Sequence, residues 1–575
     1  MVVVTGAGSG RERLLLYGCA ALVVAAVLAP LARAGYVLRY DMVFVPQQPL
    51  RWDLLAPGDA PPRAVPLDAL VGLAGLAAPG WLLQRIALAA VLAGAALGAA
   101  RLVPAGRTGT RLVAALAYAW TPFLAERLLL GQWGLLLGYA ALPWLVRAAL
   151  DVRRHRPAAG ARLILAAACA SVTPTGGIIA LATAVAMLAG SARDRIRTPA
   201  LLAAVAALNA PWLLAAAGTS AAARSDPAGV AAFAARSENW GGTLAALAGT
   251  GGIWNAQAVP ATRAAPLVPV LTLGLLAAAA FGCGRLRRRW PAGAATRLAV
   301  LAGGGVLVAA AGTLPGGAGA LRVAVVHLPG AGLLRDGQKF LIPYALGLAL
   351  CVALGAERLA DRLSARVSAG SGRLVLLGFA LLPVAAMPDL AWGAGGRLQP
   401  VAYPADWDAV ARAVAAAPGP VVALPMSAYR AFAWNDRAVV LDPAPRYLAS
   451  PVLTDDRLRV GPAVIAGESR AAARVRARIA AGRPAADGRV RWVLVERAAG
   501  PAVPPTALAG LEEVHRGPAL ALYRNPRYRA DDPAGPARRW PQAGHLLAAL
   551  VVAGAAGWRL RNGPATGPSE KEDAP

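Results

Sequence analysis

The sequence is poor in charged and aromatic residues, and this shortage excludes an ordinary soluble protein. Of its 575 residues only 15% are charged and 6% are aromatic, whereas 57% are hydrophobic and the mean hydropathy is +0.52. The apolar residues are mostly Ala, Leu, Val and Gly. Such a composition is typical of helices that pack closely in lipid.

Cysteine and histidine are also scarce. All four cysteines fall in or beside apolar segments, and the four histidines are scattered, with no metal-ligand spacing between them. The sequence therefore indicates neither a disulfide framework nor a zinc site nor a histidine-based triad. We expect no metal site and no resident cofactor, although a divalent cation is left open.

Acidic residues are few, with 30 Asp and Glu against 58 Lys and Arg, which gives a formal charge of +28. So large a charge would suit nucleic-acid binding, but the arginines occur in short clusters between apolar runs. That arrangement is the positive-inside pattern of membrane proteins. We therefore predict the lipid bilayer, and no nucleic acid, as a partner.

Twelve apolar segments are candidates for membrane spans. Nine are long enough to cross a hydrocarbon core of about 30 Å, at 14–32, 82–100, 128–149, 199–217, 266–282, 298–313, 341–357, 374–392 and 543–558. Three shorter runs lie at 112–124, 163–173 and 176–189. The last two flank the sequence from Thr173 to Gly177, whose Pro and Gly residues we expect to break a helix beside a cavity.

The basic residues orient these segments. With Arg11 and Arg13 placed in the cytoplasm, the inside loops hold 21 Arg and Lys in 77 residues, whereas the outside loops hold 11 in 116. The inside loops are 1–13, 101–111, 150–162, 190–198, 283–297 and 358–373. One long span over 163–189 would move the later basic clusters outside, so we predict two helices there.

Residues 393–542 differ in kind, because their apolar runs shorten to four or five residues. We predict an extracytoplasmic α/β or α+β domain, with strands at 421–424, 438–441, 492–495 and 519–523 and helices at 405–417 and 469–481. A last span at 543–558 and a disordered cytoplasmic tail at 559–575 would follow. The predicted fold class is a polytopic α-helical protein of about 12 spans in a bacterial plasma membrane, with both termini in the cytoplasm.

Two acidic residues follow the first span. Asp41 is framed by aromatic residues between Tyr36 and Pro46, and Asp53 follows a tryptophan. A carboxylate at the level of the lipid headgroups is placed to act as a general base on a membrane-tethered substrate. A solvated Asp in an interfacial aromatic belt is the alternative interpretation.

A second cluster lies at the same membrane edge, where Glu126 and Arg127 are followed by Gln132 and Trp133. Unpaired charge is costly at that depth, so we expect both ions to be paired. The alternative is a snorkelling Arg with a Trp anchor.

A third cluster precedes a later span, where Arg335 and Lys339 stand on either side of Asp336. We expect the two cations to bind a phosphate or pyrophosphate, Arg as a fork and Lys as a point charge. They would also suit a simple helix anchor.

Four short motifs carry a resemblance to a known superfamily. They are Arg39-Tyr40-Asp41, Gly131-Gln132-Trp133-Gly134, Ser171-Val172-Thr173-Pro174-Thr175-Gly176 and Arg335-Asp336-Gly337-Gln338-Lys339-Phe340. With the acid in the first outer loop and the soluble domain near the C-terminus, the chain resembles the GT-C membrane glycosyltransferases. It is more closely similar to actinobacterial proteins related to arabinofuranosyltransferases and to YfhO-like membrane proteins. The resemblance covers roughly residues 14–392 in organisation.

This resemblance implies a glycosyltransferase that moves a sugar from a polyprenyl-phosphate donor to a glycan or lipid acceptor of the cell envelope. Asp41 takes the role of base, with Asp53 as second candidate, and Arg335 and Lys339 meet the donor phosphate. The supporting residues are Arg39, Glu126, Arg127, Gln132, Trp133 and Asp336. Many members have two adjacent acids here, whereas in this chain the next Asp is twelve residues on. A lipid or glycolipid transporter and a non-catalytic envelope-assembly protein are the alternatives.

Overall fold

The computed structural model describes residues 10–56, 62–190, 196–218, 225–530 and 539–562. The predicted tail beyond residue 562 and the first nine residues lie outside that part of the chain. The helices before the C-terminal domain are α1 (Gly10–Leu28), α2 (Leu67–Ala74), α3 (Gly80–Leu102), α4 (Thr108–Ala119), α5 (Pro122–Leu129), α6 (Trp133–Arg153), α7 (Ala159–Ala170), α8 (Pro174–Leu188), α9 (Arg197–Ala207), α10 (Ala210–Gly218), α11 (Ala228–Ala232), α12 (Gly242–Ala248), α13 (Val268–Arg289), α14 (Ala294–Ala311), α15 (Pro315–His327), α16 (Ile342–Arg366), α17 (Ala369–Ala386) and α18 (Ala391–Gly396).

Nine helical segments among the described residues are long and apolar enough to cross a membrane. They are Gly10–Ala32, Gly80–Leu102, Thr108–Leu129, Trp133–Arg153, Val268–Arg289, Ala294–Ala311, Gly337–Arg366, Ala369–Ala386 and Trp540–Asn562. Helices α9 and α10 form a further pair bent by 51°, and α7 and α8 are shorter apolar helices. All twelve predicted segments are helical, which confirms a polytopic membrane protein. The predicted span 199–217 consists of the two helices α9 and α10, and the short run 112–124 belongs to a full-length span.

The arginine-rich connections lie together at one end of the helix bundle. Arg289, at the end of α13, donates to the carbonyl oxygen of Pro104 at 3.0 Å. Arg153, at the end of α6, donates to the carbonyl oxygen of Ala189 at 2.9 Å. These contacts join loops that the charge count assigned to one compartment. That this compartment is the cytoplasm stays a prediction.

The region around Thr173 corrects one expectation. Thr173 caps α8, and its hydroxyl accepts from the N–H of Gly176 at 3.2 Å, so the chain turns before the glycines. Gly176 and Gly177 are helical, and a Cβ atom on them would clash with the Ala170 carbonyl oxygen and the Asn209 amide oxygen. Two helices are confirmed here, but the glycines lie within α8 and permit close packing against protein. That the break lies beside a cavity stays a prediction.

The C-terminal domain is built on a mixed sheet. Its helices are α19 (Asp406–Ala416), α20 (Ala444–Tyr447) and α21 (Arg470–Ala480), followed by the membrane helix α22 (Arg539–Asn562). The strands of the chain are β1 (Tyr36–Val37), β2 (Pro400–Val401), β3 (Val421–Leu424), β4 (Tyr429–Arg430), β5 (Val440–Leu441), β6 (Val452–Leu453), β7 (Leu458–Val460), β8 (Ala463–Ile465), β9 (Trp492–Glu496), β10 (Glu512–Arg516) and β11 (Leu520–Arg524). The main sheet has the order β10-β11-β9-β3-β6, in which β3 runs parallel to β6 and β9.

Successive side chains of a strand point to opposite faces of the sheet, and both faces of this sheet are buried. Val421 and Leu494 pack on one face with α19, whereas Val422 and Val493 pack on the other with α21. The four predicted strands and both predicted helices are confirmed, although the segment 438–441 forms only a two-residue strand. The domain is therefore a layered α/β unit.

The loop after α1 docks onto this domain. Tyr36 pairs with Val401 in the small β1–β2 sheet. The Tyr40 N–H donates to the carbonyl oxygen of Val439 at 2.6 Å, and the Tyr40 carbonyl oxygen accepts from Leu441 at 2.8 Å. The backbone around Asp41 is thereby fixed by the C-terminal domain.

Candidate active site

Asp41 lies in a tight turn at the junction of the bundle and the C-terminal domain. The N–H groups of Arg39 and Met42 exchange hydrogen bonds with each other's carbonyl oxygens, and Tyr40 between them has φ of 44°. The Asp41 N–H donates to the Leu130 carbonyl oxygen at 3.2 Å. This backbone pairing holds the carboxylate at the end of the α4–α5 span.

Gly131 allows this turn to approach the bundle. Its φ is +74°, and a Cβ atom there would clash with the Arg39 carbonyl oxygen and the Met42 nitrogen. Any other residue would both strain the backbone and push the turn away. The structure therefore explains why the first residue of the Gly-Gln-Trp-Gly motif is glycine.

The Asp41 carboxylate is half-buried and is held at both oxygens. Tyr429 donates its hydroxyl to Oδ1 at 2.6 Å, and Gln132 donates from Nε2 to Oδ2 at 3.1 Å. Tyr429 belongs to the C-terminal domain and Gln132 to the start of α6. One acid thus connects three parts of the chain.

Arg127 orients Gln132 and forms the centre of a buried network. Its Nη1 donates to Gln132 Oε1 at 2.8 Å, and since Arg only donates, the Gln132 amide must point its NH2 group at Asp41. The two terminal nitrogens of Arg127 also bind the two oxygens of Asp336, both at 2.7 Å. This bidentate geometry is the strongest form of the Arg–carboxylate pair.

Gln338 extends the network away from Asp41. Its Oε1 accepts from Arg127 Nε at 2.8 Å, and its Nε2 donates to Glu126 Oε2 at 2.7 Å. Glu126 is fully buried. The side chain of Glu238, which pairs with Arg263 at 2.7 Å, is 1% exposed. The expectation that Glu126 and Arg127 are engaged by partners agrees with this geometry.

The structure keeps two predicted residues apart from this network. Asp53 pairs with Arg51 at 2.9 Å. Arg335 lies 3.8 Å from Glu468 of the C-terminal domain and contacts the Phe233 ring. Because both side chains have other charged or aromatic contacts, their roles as base and phosphate ligand stay predictions.

Three other predicted residues lie at the network or beside it. Lys339 pairs with Asp336 at 3.4 Å, and about a quarter of its side chain is exposed (24%). Arg39 donates from Nε to the Leu129 carbonyl oxygen at 3.2 Å. Trp133 packs against Phe44, with 5.0 Å between ring centroids. Lys339 is thus a partly exposed cation beside the buried network.

Electrostatics hold these groups in defined protonation states. Burial would raise the pKa of Asp336, but Arg127 and Lys339 lower it to about 2, so Asp336 is an anion at neutral pH. Burial and the Asp41 carboxylate raise the pKa of Tyr429 well above its usual value, so its hydroxyl stays a donor. Burial lowers the pKa of Arg39.

Sequence reasoning missed Tyr429 and the Glu238–Arg263 pair. Tyr429 is separated from Asp41 by 388 positions, and no local pattern connects two such distant residues. Gln338, by contrast, stood inside a quoted motif, and its position between two charged residues was a usable signal. Within the described residues, no three His, Cys, Asp or Glu side chains are arranged to hold a metal ion.

No protein-family model and no curated protein sequence matches the chain. Two cryo-EM structures of arabinofuranosyltransferase AftD from Mycobacteria, one of them a mutant, are similar, with TM-scores of 0.55 and 0.56 at 20% identity. The similarity covers 89% and 92% of this chain but only 40% and 42% of the AftD chains. The chain therefore has a polytopic helical membrane fold similar to that of arabinofuranosyltransferase AftD.

Proposed function

We propose that the protein is a membrane glycosyltransferase that moves a sugar from a polyprenyl-phosphate donor to a glycan or lipid acceptor of the cell envelope. The observation that carries this proposal is the placement of Asp41. A carboxylate at the end of a membrane span is half-open to solvent and is fixed at both oxygens by Tyr429 and Gln132.

The fixed geometry suits a general base. Asp41 would accept the proton of the acceptor hydroxyl while that oxygen forms a bond to the anomeric carbon of the sugar. The bond from the anomeric carbon to the phosphate oxygen breaks in the same step, and polyprenyl phosphate leaves with the bonding electrons. A single displacement of this kind inverts the anomeric centre.

Cations near the base would stabilise the leaving phosphate. Lys339 is the best placed of the predicted pair, because it is partly exposed and shares Asp336 with the buried network. Arg127 is fully buried and already binds Asp336, Gln132 and Gln338, so we assign it a positioning role. Arg335 would have to leave Glu468 to contribute.

The C-terminal domain would hold the acceptor beside Asp41, because Tyr429 brings that domain to the carboxylate. Arabinofuranose is the first sugar to test, since both similar structures are of an arabinofuranosyltransferase. The chain spans about two fifths of their length, so acceptor and linkage are part of the proposal. We place the site outside the cytoplasm of a bacterial plasma membrane.

The test is sugar transfer by purified protein in nanodiscs from a radiolabelled polyprenyl-phospho-sugar. Asp41→Asn keeps the size of the side chain but loses the base, and we expect transfer to fall about 100-fold or more. Asp53→Asn is the matched control. Asp53 lies in the same loop as Asp41, but its carboxylate pairs with Arg51 and is not part of the Asp41 network.

Transfer by Asp41→Asn at the wild-type rate would remove this residue from the mechanism. Equal losses in Asp41→Asn and Asp53→Asn would indicate general damage to the loop. If the wild-type protein transfers no sugar from any donor, the transporter or assembly interpretation takes precedence.

A further inference from the structure

An apolar cavity of about 80 Å³ lies among the membrane helices α4, α13, α16 and α17. Helices α13 and α17 each pack on α16, and α17 also packs on α4. The α13 wall is Val268, Leu271, Thr272 and Leu275, and the α16 wall is Ala345, Leu348, Ala349 and Val352. Each set follows i, i+3, i+4, i+7 spacing, so one stripe of each helix faces the cavity.

The cavity has a polar end at the edge of the membrane part. Thr250 and Arg263 line it, and both belong to segments that precede α13. Arg263 is 6% exposed and Thr250 is 2% exposed. Among the described residues, neither Arg263 Nη2 nor Thr250 Oγ1 has a hydrogen-bond partner.

Unpartnered buried donors are costly, which makes this end unusual. Arg263 is held in place: its Nε pairs with Glu238, and its carbonyl oxygen accepts from Asn239 at 3.0 Å. The neighbouring Thr262 donates its N–H to Asp389 at 2.9 Å. The free Nη2 is therefore a fixed donor that a bound acceptor would satisfy.

Thr250 adds a strained backbone at the same place. Its φ is 68°, a left-handed value that a β-branched residue rarely adopts. Such strain persists only where the surroundings impose it, and it is concentrated at functional sites. Thr250 and Arg263 therefore bring two buried, unpartnered groups to the lining of one cavity.

The size and lining select the ligand. A cavity of about 80 Å³ is well below the roughly 300 Å³ of small-molecule pockets, so it suits a narrow chain better than a sugar ring. The α13 stripe covers about two helical turns, or roughly 10 Å, of the hydrocarbon layer. A hydrocarbon chain would fill this length while its head reached the two donors.

We propose that this cavity is a lipid site, in which a phosphate ester at the head of a hydrocarbon chain accepts hydrogen bonds from Arg263 and Thr250. The cavity is distinct from the Asp41 site, because Asp41, Gln132 and Tyr429 are not among the residues that line it. It goes beyond the proposed sugar transfer and does not require it. The phosphate lipid can be a glycerophospholipid of the bilayer or a polyprenyl phosphate.

The test uses the full chain in detergent, with bound lipid counted by native mass spectrometry during titration. The probes are phosphatidylglycerol, undecaprenyl phosphate and the uncharged undecaprenol. Thr250→Val keeps the shape of the side chain but removes the hydroxyl, and we expect about tenfold weaker binding of the phosphate lipid. Ala349→Phe fills the cavity and should abolish the bound species.

Leu273→Phe is the matched control, because Leu273 is on α13 but is 64% exposed on its outer surface. The proposal is supported if either phosphate lipid binds more tightly than undecaprenol and if this binding is lost in Ala349→Phe but kept in Leu273→Phe. The phosphate lipid that binds more tightly then identifies the ligand. The proposal would be overturned if undecaprenol bound as tightly as the phosphate lipids. It would also be overturned if phosphate-lipid binding were unchanged in both Thr250→Val and Ala349→Phe. None of these measurements depends on sugar transfer.

Discussion

Replacing Arg127 by methionine should destabilise the membrane domain more than any other single change in the network. Arg127 is fully buried and binds both oxygens of Asp336. Methionine fills much of the same space, so the main effect is to leave the Asp336 carboxylate buried without its partner. Such removal of one member of a buried ion pair costs about 3–5 kcal/mol.

Asp336→Asn provides the second arm of a double-mutant cycle. With both charges removed, no unpaired ion is left, so the double variant should recover at least about 1 kcal/mol relative to Arg127→Met alone. The assay is unfolding in mixed micelles of increasing SDS content, followed by circular dichroism. Arg288→Met is the control, because Arg288 is an exposed arginine near the C-terminal end of α13.

Two results would refute this reasoning. If Arg127→Met unfolds at the same SDS content as Arg288→Met, the buried pair has no structural role. If the two single changes simply add in the double variant, Arg127 and Asp336 are not energetically coupled.

Three further outcomes follow from the same geometry. Tyr429→Phe removes one hydrogen bond to Asp41, and we expect sugar transfer to fall about tenfold, with the secondary structure unchanged in circular dichroism. The pKa of Asp336 is lowered to about 2, so its contribution to stability is complete above about pH 4 and is lost as the pH falls towards 2; a pH series of unfolding should show this loss in the wild type but not in Asp336→Asn. In a cysteine-free background, Val514→Cys should react with an impermeant maleimide from outside intact cells and Arg288→Cys should not; the opposite pattern would invert the predicted topology.

Local patterns in the sequence were enough to predict much of the fold. The run from Val421 to Leu424 became the buried strand β3, because apolar runs of that length satisfy both faces of a covered sheet. The helices at 405–417 and 469–481 also formed as their amphipathic spacing predicted. Periodicity depends on neighbours along the chain, so it can be read without knowing the tertiary structure.

Long-range contacts at the site could not be predicted in this way. The position of Asp41 beside a span marks it as a candidate, but its partner Tyr429 comes from a domain that follows ten more membrane segments. Gly177 was expected to break a helix, yet it permits α8 to approach the bend at Asn209. In both cases the contact depends on how distant elements dock, which no local composition determines.

The charged residues also show which features local sequence predicts and which depend on tertiary packing. That Arg127 needed a partner followed from the cost of charge at a membrane edge. That the partner is Asp336, rather than the adjacent Glu126, followed only from the packing of α5 against the segment before α16. Arg335 and Lys339 are close in sequence, but they contact different acids.

The most direct test of the account is a single-turnover comparison of the wild type and Asp41→Asn with the polyprenyl-phospho-sugar already bound. This measurement separates donor binding from the chemical step, which a steady-state assay does not. We predict an unchanged dissociation constant for the donor and a transfer rate at least about 100-fold lower in Asp41→Asn. An unchanged transfer rate, or a loss explained entirely by weaker donor binding, would contradict the role of Asp41 as the base.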